Sequence, residues 1–315
     1  MSRLGLFSAA GRDIPGAVNR ARRAEELGYD SVWVNQMADA RDGSLVLAAY
    51  ASATERIGLG TGVLPIYTRH PSAMVQMAAT LDEISHGRLI LGLGVSHRVT
   101  VEGLWGMSLD QPVDAMREYL QIVTGGIRQG MVSVEGSHFT ARWGYSGPRR
   151  PEMQIMIAAL GPRMLDLAGE LADGVVLWMC SPEYIATEVV PRVRAARERS
   201  GRSMEGFEIV AAVPVCLTAD AAAGRAAFTE TVERYASLPF YRRMLDASGF
   251  GPDLEAGRIT DGMIDQLSGI GDGEAVRAAI ERYRAAGTTL PAAGPFAGHP
   301  GAAGFEATME AAIAV

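Results

Sequence analysis

The sequence predicts an α/β fold, a (β/α)8 TIM barrel, and three observations predict it. Short β-branched or apolar runs alternate with longer stretches of helical period from the first residues onward. Those runs are almost wholly apolar, as strands covered on both faces of a parallel sheet must be. Eight of them can be counted, enough to close a barrel, with an open doubly wound sheet as the alternative.

In chain order, residues 4–7 read as the first strand, followed by a helix over Ile14–Leu27. Ala17, Val18, Ala21, Ala24 and Leu27 share one face of that helix before Gly28 stops it. Ser31–Val34 is the second strand, then come a helix over 45–53 and a strand over 57–62. A helix over Pro71–Ile84, with proline in its first turn, leads to a strand over 89–93. After a helix over 113–126, alternation at Val132, Val134 and Phe139 marks a hairpin or extended insertion. The rhythm resumes with a strand over 154–157, a helix over 161–171, a strand over Gly174–Leu177, a helix over 182–199 and a strand over 208–215. A helix over 220–236 follows, then a Gly-rich, irregular stretch over 237–271, a helix over 273–286, the eighth strand over 288–292 and a last helix near 304–313. The expectation is one domain over 1–315, with insertions at about 130–150 after strand four and 237–271 after strand seven.

Composition narrows the chemistry. All 29 basic side chains of the 315 residues are arginine. A lysine-free chain cannot form a Schiff base as an aldolase does, anchor pyridoxal phosphate, or supply the lysine of a P-loop. A net charge of -7 and a pI near 5.4 argue against nucleic acid as a partner and leave small molecules or proteins. Cys180 and Cys216 are far apart and form no CxxC, so neither a disulfide framework nor a zinc ribbon is expected. The segment from Met1 to Asp13 has no apolar region of signal-peptide length, and no uncharged apolar run could span a bilayer. The expected location is the cytoplasm, with no membrane contact.

The motifs point to the mouth of the barrel, where the loops after the strands' C-terminal ends carry the chemistry. Gly92, Leu93, Gly94, Val95, Ser96 and His97 suggest a nucleophile elbow, but Arg98 stands where its second glycine belongs, so a backbone anion-binding turn is expected instead. Gly58, Gly60 and Gly62 do not open a helix, so no dinucleotide fingerprint is present. These glycines serve either close approach to a flat ligand or tight barrel packing. Ala158, Ala159, Leu160, Gly161, Pro162 and Arg163 join strand five to its helix. Free amides there can face an anion, with Arg163 as a fork donor, or the segment is a plain helix start. Five histidines show no metal-ligand spacing, and no metal is expected. His97, at a strand end, can donate to a ligand or act in a supporting hydrogen bond; Trp178, directly after strand six, faces the mouth.

The segments ARRAEELGYDSVWV, IGLGTGVLPIYTRHP, TLDEISHGRLILGLGVS and AALGPRMLDLAGELADGVVL resemble the luciferase-like superfamily of flavin and deazaflavin oxidoreductases. Within it the chain is most similar to the methylenetetrahydromethanopterin reductase branch, which uses coenzyme F420. The resemblance implies a bulge after strand three with a non-prolyl cis peptide at Gly62 and Val63, next to Leu64, backing the deazaflavin ring. It implies ring and phosphate contacts at Gly94, Val95, Ser96, Ala159, Leu160 and Gly161, and substrate beneath the insertion near Leu238, Pro239, Phe240 and Tyr241. Such relatives commonly pair, so a homodimer is expected.

The chain departs from that pattern at two places. Asn35 and Gln36 replace an acidic pair usual at the end of strand two, and Phe7 replaces a strand-one glutamate, so the usual acid and base are not carried over. Asn35, Gln36 and His97 are the catalytic candidates, and Phe7 a substrate contact. The expected activity is hydride transfer between F420 and a small organic substrate. The alternatives are an FMN-dependent luciferase-like monooxygenase and a barrel that binds cofactor without catalysis. With no lysine available, F420's anionic tail falls to backbone N–H groups, hydroxyls and arginine forks, with Ser96, Arg98, Gly161 and Arg163 as the candidates.

Overall fold

A computed structural model describes residues 3–9, 11 and 13–314. Residues 1, 2, 10, 12 and 315, which belong to the expected domain and to the N-terminal segment, lie outside the described residues. Eight parallel strands close on one another in chain order: β1 (Gly5–Phe7), β2 (Ser31–Val34), β3 (Gly58–Thr61), β4 (Leu89–Gly94), β5 (Ile155–Ala158), β6 (Gly174–Leu177), β7 (Glu208–Leu217) and β8 (Leu290–Pro295). The pairing of β8 with β1, at Gly5 with Ala292, completes the barrel. The closed ring answers the choice left open by the sequence in favour of the barrel.

Each strand presents one face to surrounding helices and one to the barrel axis. Leu6, Val32, Leu59, Leu91 and Ile155 belong to the large apolar layer beneath the helices. Trp33, Met156, Val176, Val210, Leu290 and Ala292 form a separate interior cluster. Trp33 fills the axis: it is fully buried, and its indole N–H donates to Ser31 Oγ at 2.9 Å. A Cβ at Gly60 would sit 2.4 Å from that indole and one at Gly5 3.2 Å. Gly58 is similarly close to Asp30 and Ser31, so these glycines serve packing, while Gly62 has a different task.

The end of the barrel opposite the mouth is tied by two residues that bond main chain. Arg88 donates to the carbonyls of Ala51, Thr54, Ile57 and Ser85 and to Thr54 Oγ1. Glu25 accepts from the amides of Glu55, Arg56 and Ile57. Between the helix Pro112–Arg128 and β5, the strands Met131–Glu135 and Thr140–Gly144 form the expected antiparallel hairpin. Glu118 holds the tip of that hairpin by accepting from the amides of Ser137, His138 and Phe139.

The segment expected to be irregular is mostly helical. It contains helices at Pro239–Leu245, Gly251–Glu255 and Asp261–Leu267, a π-turn at Asp246–Phe250, and a short strand, Gly269–Gly271, that pairs with the end of β7. Several other boundaries shift by one or two residues, and two departures stand out. Ile185–Val189 forms a π-turn inside the helical stretch after β6, and β8 starts at Leu290 because Gly287, with φ 102°, still turns the chain.

Candidate active site

The mouth begins at β3, where the chain inserts a bulge. Gly60 pairs with Ile90 and Leu64 with Leu93, so three residues on β3 stand opposite two on β4. The Thr61 hydroxyl replaces the lost ladder bond by donating to the Gly92 carbonyl (2.7 Å) and accepting from the Gly92 amide (2.6 Å). Gly62–Val63 is cis, as the resemblance implies. Room for the bulge comes from missing side chains. A Cβ at Gly92 would lie 2.1 Å from the Thr61 carbonyl, one at Gly94 2.5 Å from Val63, and one at Gly62 2.6 Å from the Phe7 ring. The product is an apolar wall of backbone and Val63, with Phe7 packed behind it.

Beside the wall lie the turns after β4 and β5. Five of the eight helices that follow barrel strands are capped by a side chain: Asp13, Asp42, His70, Ser181 or Asp220. Those that start after His97, Gly161 and Gly304 have no such cap. The helix Pro162–Leu171 carries no acidic residue in its first turn, and Gly161 adopts an ordinary extended φ of -77°. Its N-terminal amides therefore face the mouth side without a side-chain acceptor. After β4, Ser96 sits at φ 60°, a left-handed conformation that redirects the chain into His97.

From Phe7 behind the wall a continuous line of rings runs around the mouth. Phe7 and Trp178 have centroids 5.9 Å apart, Trp178 and Tyr235 5.9 Å, Tyr235 and Tyr241 4.9 Å, and Tyr241 and His97 5.8 Å. These residues come from β1, the end of β6, the helix Ala221–Ala236, the insertion and the β4 turn. The insertion is anchored to the barrel by Ser248 and Ser181, whose hydroxyls are 2.7 Å apart. Burial lowers the His97 pKa, which favours neutral imidazole. Burial raises Tyr235 and Tyr241, although Arg234 over the Tyr235 ring pulls back, so both phenols stay protonated donors.

The structure thus brings Phe7, Gly62, Val63, Gly94, His97, Trp178 and Tyr241 to one mouth. Leu64 continues the bulge and pairs with β4. Val95 and Ser96 are half-buried in the β4 turn; Ala158 and Leu160 are half-buried and Ala159 buried in the β5 turn. Gln36 accepts from the Gly43 amide at 3.1 Å, which ties the β2 loop to its helix, and Asn35 beside it is half-buried. The arginines stand apart. Arg98 is exposed and paired with Glu102, and Arg163, beside exposed Pro162, is 76% exposed with Asp114 at 3.9 Å. Phe240 lies over the β5 turn, its ring 3.3 Å from where a Gly161 Cβ would be, with Arg243 stacked on it.

Sequence reading missed Tyr235 and Thr61. Tyr235 ends an Ala-rich helix, and nothing in its spacing separates a mouth-facing tyrosine from a packing one. Among the described residues no cluster of three or more His, Cys, Asp or Glu could hold a metal, and no helix is long and apolar enough to cross a membrane.

A closed parallel barrel with a bulged third strand, two uncapped turns beside it and an aromatic line around its mouth defines a ligand-binding α/β barrel whose chemistry sits there. The model of the luciferase-like monooxygenase family matches residues 2–290, and the chain belongs to that family. It is 33% identical over 308 aligned residues to a candidate coenzyme F420-dependent oxidoreductase of Mycobacterium tuberculosis, covering 85% of this chain and 87% of that one. It is 28% identical over 290 residues to the 5,10-methylenetetrahydromethanopterin reductase of Methanolobus tindarius, covering 87% and 88%. Among solved structures, the coenzyme F420-dependent tetrahydromethanopterin reductase of Methanopyrus kandleri superposes with a TM-score of 0.84 at 23% identity, over 99% of this chain and 97% of that one.

Proposed function

We propose that this chain is a coenzyme F420-dependent oxidoreductase that moves a hydride between the deazaflavin and a small organic substrate. The observation that carries the reading is the pairing of the β3 wall with the uncapped β5 turn, a surface for a flat ring next to amides for an anion. The name of the Mycobacterium tuberculosis relative favours F420 over FMN. The donor set is compatible with F420. Gly62, Val63 and Leu64 offer an apolar wall, Gly94, Val95 and Ser96 a second turn, and Ala158 through Arg163 an amide-lined start to a helix. Trp178 borders the ring site. Arg98 and Arg163 would leave Glu102 and Asp114 to meet the anionic tail, a small cost because both pairs are exposed.

The coenzyme supplies the hydride chemistry; the protein's part is to hold its substrate close and keep water out. Phe7, Phe240 and Tyr241 line the substrate side, and no carboxylate replaces the missing acid. His97, neutral, can orient a hydroxyl or carbonyl, as can the amides of Asn35 and Gln36. A cytoplasmic homodimer belongs to the same reading. The buried free thiols of Cys180 and Cys216 agree with a reducing compartment, and exposed Leu45 on a barrel-side helix suits a subunit contact.

Fluorescence titration of the purified protein with F420 and with FMN tests the assignment. Tight F420 binding with turnover upholds it. Tight FMN binding with none for F420 moves the chain to the monooxygenase reading its family name suggests, and F420 binding with no turnover on any acceptor leaves a non-catalytic barrel.

A further inference from the structure

We infer that the substrate is an uncharged, conjugated carbonyl compound, of the enone or quinone class, held flat against Trp178 with Tyr235 at its edge and its oxygen accepting from the Tyr241 hydroxyl. The inference deepens the proposed function and rests on it for the hydride.

The corner of rings joins apolar faces to neutral donors. Its polar atoms are the Trp178 indole N–H, which carries no charge, two phenolic hydroxyls and an imidazole; burial disfavours the charged forms of His97, Tyr235 and Tyr241. The influences on His97, Tyr235 and Tyr241 are burial, one another, Trp178, Cys180 and the exposed Arg234. No acidic side chain acts on any of the three. A carboxylate or phosphate lying between Trp178 and Tyr241 would be desolvated among neutral donors, since Arg98 and Arg163 lie beside carboxylates and Arg234, over the Tyr235 ring, is itself exposed to solvent. A cationic substrate would find no counter-charge. The complement of a donor-rich, neutral, aromatic corner is a flat molecule whose polar atom only accepts.

Trp178 meets Phe7 in a tilted contact and Tyr235 edge-on, which leaves part of its own face for a further ring, while Arg234 lies over the Tyr235 ring. In the direction of reduction, the hydride leaves the reduced deazaflavin and bonds to the electrophilic carbon of the substrate. The conjugated π system opens, the electron pair moves to oxygen, and the Tyr241 hydroxyl supplies the proton there. Water returns that proton to Tyr241. A hydride and a proton, two electrons and two protons in all, thus pass to the substrate, and the coenzyme ends oxidised.

Two measurements test this, one without coenzyme. Menadione, a neutral quinone, added to the coenzyme-free protein should quench tryptophan fluorescence, and Trp178→Phe should lose most of that quenching; equal quenching in both proteins would overturn the aromatic contact. With reduced F420, cyclohexenone should be turned over at least about tenfold more efficiently than its carboxylate-bearing analogue. Tyr241→Phe should lower kcat/KM for cyclohexenone by about 100-fold or more while leaving the Kd for F420 unchanged, the loss expected for one donor to a developing oxyanion. Equal use of charged and neutral acceptors, or full activity in Tyr241→Phe, would overturn the inference while F420 binding stood. Failure to bind F420 together with intact menadione quenching would overturn the coenzyme assignment and leave the corner's ligand class standing.

Discussion

Replacing Gly161 by aspartate should push helix stability and anion binding in opposite directions. Gly161 is the N-cap of the helix Pro162–Leu171, lacks a side-chain bond to the first turn, and has an extended φ of -77° that any residue can adopt. The new Cβ would meet the Phe240 ring at 3.3 to 3.4 Å, and Phe240, 48% exposed, can yield. Aspartate is among the preferred N-caps and improves on glycine by a few tenths of a kcal/mol, so melting should hold or rise slightly. An anion at the turn would instead face a like charge. At a separation of about 5 Å and an effective dielectric between about 20 and 80, the repulsion is about 1 to 3 kcal/mol, or about 5- to 150-fold in Kd. Gly161→Asn, neutral and of the same shape, should stay within about threefold of the unaltered protein, and added salt should shrink the gap between the two variants. Fluorescence titration with F420 at low and high salt, beside thermal melts, reads all of this. A folded Gly161→Asp protein that binds F420 as tightly as the Asn variant at low salt would refute the anion turn.

Other consequences concern the scaffold. Gly60→Ala, with its Cβ 2.4 Å from the buried Trp33 indole, should cost about 1 to 3 kcal/mol through overpacking, and an unchanged urea midpoint would count against the tight axis. Arg88→Lys offers three donors where five bonds are made, so at least two acceptors lose their partner and urea unfolding should report a loss of about 2 to 4 kcal/mol. Burial works to raise the Glu118 pKa, but the amides of Phe139, His138 and Ser137 outweigh it and hold the carboxyl below its usual value. Its contribution is therefore present above the unfolded carboxylate pKa and fades as pH falls through the lower folded one, so the stability gap to Glu118→Gln should close below about pH 4. A gap that is independent of pH would rule out the ionised form as the one that holds the hairpin.

Much of the scaffold was legible because its signals are local. Pro71–Ile84 and Gly174–Leu177 match their expected bounds, the first set by proline in its first turn and a Ser-His-Gly stop, the second by a short apolar run between Asp173 and Trp178. The stretch over 237–271 was misjudged because helices of five to seven residues are too short to show a period, and its glycines look like breaks. Gly249, at φ 93°, is a genuine turn between two of those helices. In the site, the uncapped Gly161 turn was readable from the helix-start pattern, and the cis bond at Gly62–Val63 falls where the family resemblance implies it. Side-chain direction was not readable. Arg98 and Arg163 look like anion ligands in one dimension, yet each lies outward beside a carboxylate that the sequence does not mark as a partner. Tyr235 shows the converse, since only the packing of its helix against the insertion helices and the strand Gly269–Gly271 sets it beside Trp178.

Trp33 closes the barrel's axis, which has a kinetic consequence. With an indole wedged between Gly5 and Gly60, nothing passes through the barrel, so every ligand enters and leaves by the mouth. A molecule lying on the β3 wall is then shut in by whatever occupies the aromatic corner above it. Binding and release then share one door, and with the coenzyme on the wall and the substrate in the corner, as proposed, the substrate would arrive last and its product leave first.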